Sequence, residues 1–287
     1  MNSKIFGCLL VCSAAYAFFA AGCGNKTDEE QRAEIAVTNS YLGCAVLDLC
    51  GEETEVLCLA PPGMCPGHFD ISPSQVQQLC DCKILFLFDF QKQVEGTLSR
   101  VKERGLKTAL VGAPGGLCVP DTYLATCRSV SEILSSEYPE KKAQFQQRLD
   151  VIESDLKRLK QELSEKIRQA GIASAKVLAS YHQDDFANWL GLETVATFIG
   201  SDTETVAGID RCIKQAEGQT IRFVIANQQE GTALAKALAE RLGAKAVVFG
   251  NFPEIRGRTS GYPALLRANV DALIRANSGD SIEVAKQ

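Results

Sequence analysis

From residue 34 onward the chain alternates short β-rich runs with helical ones. Glu34–Thr38, Glu55–Ala60, Lys83–Phe88 and Lys107–Gly112 are predicted strands. The run KILFLF at Lys83–Phe88 is nearly continuously apolar, the pattern of a strand covered on both faces. Helical segments fall between them. One covers Ala45–Leu49. A second opens at Ser72-Pro73, a serine cap followed by a first-turn proline. Two more cover Gln91–Gly105 and Asp121–Glu137.

The rhythm then changes. From Glu140 to Ala170 there is no strand signal and no helix breaker. Phe145, Leu149, Ile152, Leu156, Leu159, Leu163 and Ile167 recur every three or four residues, with Lys, Arg, Glu and Gln between them. This predicts one long helix, about 45 Å at 1.5 Å per residue. It reads as a spine between lobes, or as a coiled-coil partner site. Gly171 ends it and the alternation restarts. Strands are predicted at Lys176–Ser180, Glu193–Ile199, Ile221–Ala226 and Ala246–Phe249, with helices at Asp184–Leu190, Thr203–Gly218, Gly231–Leu242 and Tyr262–Ala276. The two halves share a rhythm without sharing a sequence.

The expected fold class is therefore α/β: two lobes, each a four-stranded parallel sheet with flanking helices, joined by one long spine helix. The N-terminal lobe is placed at 34–138, the interlobe helix at 139–171 and the C-terminal lobe at 172–287. Parallel sheets of this kind bind ligands beyond the carboxyl ends of their strands, so two facing lobes would form a cleft there.

The 287 residues carry 30 basic and 35 acidic side chains, for a net charge of −5. No Lys/Arg stripe appears, which argues against a nucleic-acid partner. At 46% apolar and 23% charged, the composition excludes a disordered or collagenous chain.

The first residues read separately. Lys4 is followed by an uncharged run from Ile5 to Gly22, then by a polar, acidic stretch. A charged start and an apolar run ending in small residues predict an export signal at 1–22. The competing reading is an uncleaved anchor helix. Ala20-Ala21-Gly22-Cys23 resembles the bacterial lipobox, in which the cysteine is lipidated and becomes the new N-terminus. Residues 23–33 would then be a flexible tether. The remainder is expected on the extracytoplasmic side, periplasmic or at the cell surface.

Twelve cysteines shrink to nine once Cys8, Cys12 and Cys23 are set aside, and nine cannot all pair. Several sit in apolar runs and read as small buried hydrophobes. Cys65 and Cys118 lie in Gly/Pro loops and stand out as possible extra metal ligands.

Only two histidines occur, His68 and His182. Each is placed in a strand-to-helix loop, one in each half. Imidazole is the commonest protein ligand for zinc and related ions. Two such rings facing across a cleft would make half of a tetrahedral site.

Three segments then resemble a known family, the metal-binding solute-binding proteins of bacterial zinc/manganese ABC importers (cluster A-I). GHFDISPSQVQQLCDCKILFLF is similar to their first ligand loop and VLASYHQDDFANWLGLETV to their third-ligand region. FVIANQQEGTALAKALAERLGAKAVVF resembles their late strand–helix–strand. The resemblance implies a binding protein rather than an enzyme, with Zn²⁺ or Mn²⁺ as cargo. It also implies delivery to a membrane permease with its ATPase, a lipid anchor at Cys23, and a monomer. His68 and His182 take the first and third ligand positions. Asp121, in VPDTYL, stands where the family's second histidine is expected, and Asn251 is the counterpart of its usual fourth-position aspartate. Asp184, Asp185 and Glu230 are further acidic candidates. Two alternatives stay open: the same scaffold carrying a metal chelate such as an iron complex or corrinoid, and a hydrolase pairing Cys118 with His182.

Overall fold

The computed structural model describes residues 33–64, 70–92, 94–200, 203–257 and 260–279. The expected export signal, the expected tether with Cys23 as far as residue 32, and the residues Cys65 and His68 lie outside these residues.

Two four-stranded parallel sheets form the frame. The first contains β1 (Ile35–Asn39), β2 (Val56–Ala60), β3 (Ile84–Phe88) and β4 (Lys107–Val111), in the order β2-β1-β3-β4. The second contains β5 (Lys176–Ser180), β6 (Glu193–Phe198), β7 (Phe223–Asn227) and β8 (Lys245–Phe249), in the equivalent order β6-β5-β7-β8. In each sheet the chain leaves the first strand to one side and returns to the other. This creates a switch point, between β1 and β3 in one sheet and between β5 and β7 in the other, which is where α/β sheets place their ligands.

The helices follow from local chemistry. α1 (Ser40–Cys50) starts directly after β1, because the Asn39 side chain accepts the Leu42 N–H at 3.0 Å. This places its start earlier than the sequence pattern alone suggested. α2 (Pro73–Leu79) opens on a reciprocal box in which Ser72 Oγ accepts from Gln75 N and Gln75 Oε1 accepts from Ser72 N. The predicted helix at Gln91–Gly105 is instead two single-turn pieces, α3 (Val94–Thr97) and α4 (Ser99–Lys102). α5 (Pro120–Glu137) leads into α6 (Lys142–Gln169), whose predicted first turn is a 3₁₀ turn at Pro139–Lys141. The second half adds α7 (Tyr181–Trp189), α8 (Val206–Ala216), α9 (Ala233–Leu242) and α10 (Tyr262–Ser278).

Strand alternation decides what each face buries. Ile35 and Val37 of β1, Val177 and Ala179 of β5, and Phe223 and Ile225 of β7 all enter one core. That core extends through α1, α5, α6 and α10, so it links both sheets. The intervening residues Ala36 and Leu85 join a separate core under α2 and α4, while Leu178 and Val224 join one under α8 and α9. The seven apolar seam residues of α6 are all buried inside the chain, against α1, α5 and α10. The helix thus spends its stripe on its own molecule, which removes the reason to expect a coiled-coil partner. At 28 residues it joins the two lobes over about 42 Å. Among the described residues no helix is long and apolar enough to cross a membrane.

Candidate metal centre

His182 does not sit in a loop. α7 begins immediately after β5, so His182 is the second residue of a helix at the carboxyl end of a central strand. Its Nδ1 hydrogen-bonds Glu230 Oε1. Glu230 ends a short 3₁₀ turn, Gln228–Glu230, directly beyond β7. Its other oxygen, Oε2, accepts from Ser180 Oγ at 2.5 Å. The imidazole and its carboxylate therefore straddle the switch point of the second sheet. The His182 side chain is 57% exposed, whereas that of Glu230 is only 15% exposed.

The electrostatics agree with this pairing. The hydrogen bond to Glu230 raises the His182 pKa against the opposing effect of burial. For Glu230, burial pushes the pKa upward, but the hydrogen bonds from His182 and Ser180 outweigh it and the net shift is downward. When the carboxylate holds the Nδ1 proton, Nε2 keeps its lone pair. That is the arrangement in which a histidine binds a metal.

Asp121 occupies the first turn of α5 and is exposed. It shares a cleft of about 440 Å³ with Gly115, Gly116, Asp185 and Trp189. The two lobes touch here, because Gly116 N donates to Asp185 Oδ2 at 2.7 Å. A Cβ at Gly116 would lie 2.8 Å from the Asp185 Cβ, so the contact needs glycine. Asp185 lies three residues beyond His182 on α7, and this cleft brings together a carboxylate from each lobe, Asp121 and Asp185.

Asn251 lies just beyond β8 and is only 4% exposed. Its Oδ1 accepts from Gln183 Nε2 at 2.9 Å and from Cys118 Sγ at 3.3 Å. Both lone-pair directions of the amide oxygen are thus engaged, and a metal would have to displace these donors. As placed, Asn251 serves the contact between lobes. Cys118 is fully buried; its single S–H proton is shared between Asn251 Oδ1 and Gly250 O, the latter at 3.1 Å. Burial raises its pKa far above the ordinary thiol value, so it stays protonated and is a poor source of thiolate. The nucleophile–base pair of the hydrolase alternative is not assembled, since the Cys118 thiol and the His182 ring each bond elsewhere. All eight described cysteines are free, and five of them are buried.

Three amides escape the sequence reading. Gln183 and Asn227 bond to each other, and Asn269 bonds to Gly250 and to Cys118. Neutral amides at strand ends carry no charge pattern, and the only sequence signal was the polar run Asn227–Glu230. The partnership of Ser180 with Glu230 was equally silent, because fifty residues separate them. Among the described residues, no three His, Cys, Asp or Glu side chains are grouped to hold an ion. His68 lies outside the described residues.

The profile of the family described as "Zinc-uptake complex component A periplasmic" (ZnuA) matches residues 118–276, more than half of the chain. The chain belongs to the ZnuA family. The matched span of this ZnuA-family chain contains Cys118, Asp121, His182, Glu230 and Asn251. It begins beyond the first four strands, so the likeness of the first lobe comes from structure. A crystal structure of ZnuA superposes with a TM-score of 0.69 at 16% identity, covering 85% of this chain and 98% of that one. A Mn-bound periplasmic metal-binding protein from Candidatus Liberibacter asiaticus gives 0.72 at 11% identity, over 85% and 98%. The Cd-bound form of that protein gives 0.70 at 11%, over the same shares. At these identities the likeness carries the two-sheet, long-helix fold. No curated protein matches the chain.

Proposed function

We propose that this protein is the extracytoplasmic substrate-binding component of an ABC importer. It captures a divalent transition metal in the cleft between its lobes, zinc foremost and manganese next. His68 and His182 are the principal ligands and Asp121 approaches from the first lobe. The cargo passes to a membrane permease driven by a cytoplasmic ATPase, and nothing is catalysed. Lipidation of Cys23 holds the protein at the membrane, where it acts as a monomer.

The observation that carries this reading is the His182–Glu230 pair, placed at a sheet switch point within a ZnuA-family chain. It supports a ring set for metal binding at the position where this fold collects ligands. The low histidine count suits a site with carboxylate character, which tolerates manganese as well as zinc.

The test is elemental analysis of the purified protein, followed by competitive titration of the metal-free form with zinc and with manganese. His68→Ala and His182→Ala are each expected to weaken binding at least about tenfold, the scale of removing a ligand or its support. Isotherms unchanged in both variants would remove metal capture from consideration and leave the chelate-binding alternative in its place.

A further inference from the structure

Resting on the metal-capture reading, we propose that Glu230 is the positioning residue of the site. It is not itself a ligand. It selects the Nδ1–H tautomer of His182 and so makes Nε2 the metal-binding atom.

Three independent features of the structure lead there. First, Glu230 Oε1 faces the Nδ1 of His182. An ionised carboxylate only accepts, so the ring nitrogen facing it must carry the proton. A histidine free in water favours the opposite tautomer, with the proton on Nε2, so the bias has to come from the protein. Second, the carboxylate is fixed. Its Oε2 is occupied by the buried Ser180 hydroxyl at 2.5 Å, which leaves Oε1 for the ring. Third, its backbone is held by close packing at Gly200, beyond β6. A Cβ there would lie 2.7 Å from the Glu230 carbonyl oxygen, closer than side chains tolerate. Strand ends β5, β6 and β7 therefore converge on one carboxylate and hold one imidazole. Such outer partners orient a ligand ring and raise its basicity. A site with only two histidines gains most from having one of them already oriented.

The experiment uses the fact that the chain has two histidines. In a His68→Ala background the ¹⁵N-histidine spectrum of the metal-free protein reports His182 alone. The expected result is a protonated Nδ1 and an unprotonated Nε2. Glu230→Gln keeps an acceptor oxygen and should retain that tautomer, whereas Glu230→Ala should shift the ring toward Nε2–H. In chains that retain His68, titration with Zn²⁺ should show about a 10- to 100-fold loss for Glu230→Ala and a smaller loss for Glu230→Gln. An Nε2–H tautomer in the parent overturns the proposal. So does a zinc isotherm unmoved by Glu230→Ala. Equal losses for both variants, with the tautomer unchanged, would make Glu230 a ligand instead. If the parent binds neither zinc nor manganese, the metal reading fails, while the tautomer measurement still tests what Glu230 does to the ring.

Discussion

Cys118 and Asn251 meet across the two lobes. The thiol, from the turn before α5, donates at 3.3 Å to the amide oxygen of the residue beyond β8. Around them Gln183, Asn227, Asn269 and Gly250 complete a buried set of neutral polar groups. Such a set is costly to break, because each group left behind is stranded away from water.

Asn251→Ala should therefore lower stability by about 1–3 kcal/mol. Metal affinity should change far less than in His182→Ala. Thermal unfolding paired with a zinc competition titration measures both. A large affinity loss without destabilisation would return Asn251 to the metal.

Asp121→Asn is expected to weaken metal binding, but less than either histidine substitution does. Asp121 is exposed in the first turn of α5, where a carboxylate can contribute without being locked in place. An unchanged isotherm would take it out of the site.

Asp48 makes stability depend on pH. Burial raises its pKa above the ordinary 3.8, reinforced by Glu52 and Asp155 and opposed by Tyr123 and Arg148. Tyr123 Oη donates to its Oδ2 at 2.7 Å. A carboxyl with a raised native value favours folding fully below its unfolded pKa. That contribution is lost as the pH climbs through the native value. Asp48→Asn should thus match the parent in acid and exceed it in stability at neutral pH. Urea unfolding at several pH values reads the difference, and parallel profiles for the two proteins would contradict it.

Leu163 lies toward the C-terminal end of the α6 seam and is fully buried. Leu163→Ala should cost about 2–5 kcal/mol by leaving a cavity between the lobes. Because the chain itself covers that seam, light scattering should return a monomer for both proteins. A parent dimer that Leu163→Ala dissociates would show that the seam also serves assembly.

Cys23→Ser should release the protein from the membrane fraction of cells that express the full chain. Retention in that fraction would rule out the lipid anchor.

Much of the architecture was legible in the chain. Eight strands, the long helix and the order of elements follow from hydrophobic period, which the backbone geometry of strands and helices imposes locally. Two departures fall where a strand meets a helix: the Asn39 side chain starts α1 early, and α7 begins with no loop and no side-chain cap, which moves His182 onto a helix. The candidate site was legible only in part. His182 stood out because histidine is rare here, and Glu230 was visible as an acidic loop residue, but nothing marked them as partners.

The sequence by itself determined the two βα lobes, the spine helix and which scarce side chains are candidate ligands, because periodicity and residue chemistry are local properties. Tertiary structure alone decided that Glu230 and Ser180 hold His182, that Asn251 and Cys118 face each other between the lobes, and that the α6 seam is filled from within. Those contacts join residues dozens to more than a hundred positions apart, and their pairing depends on how the sheets pack about one shared core rather than on any neighbouring pattern.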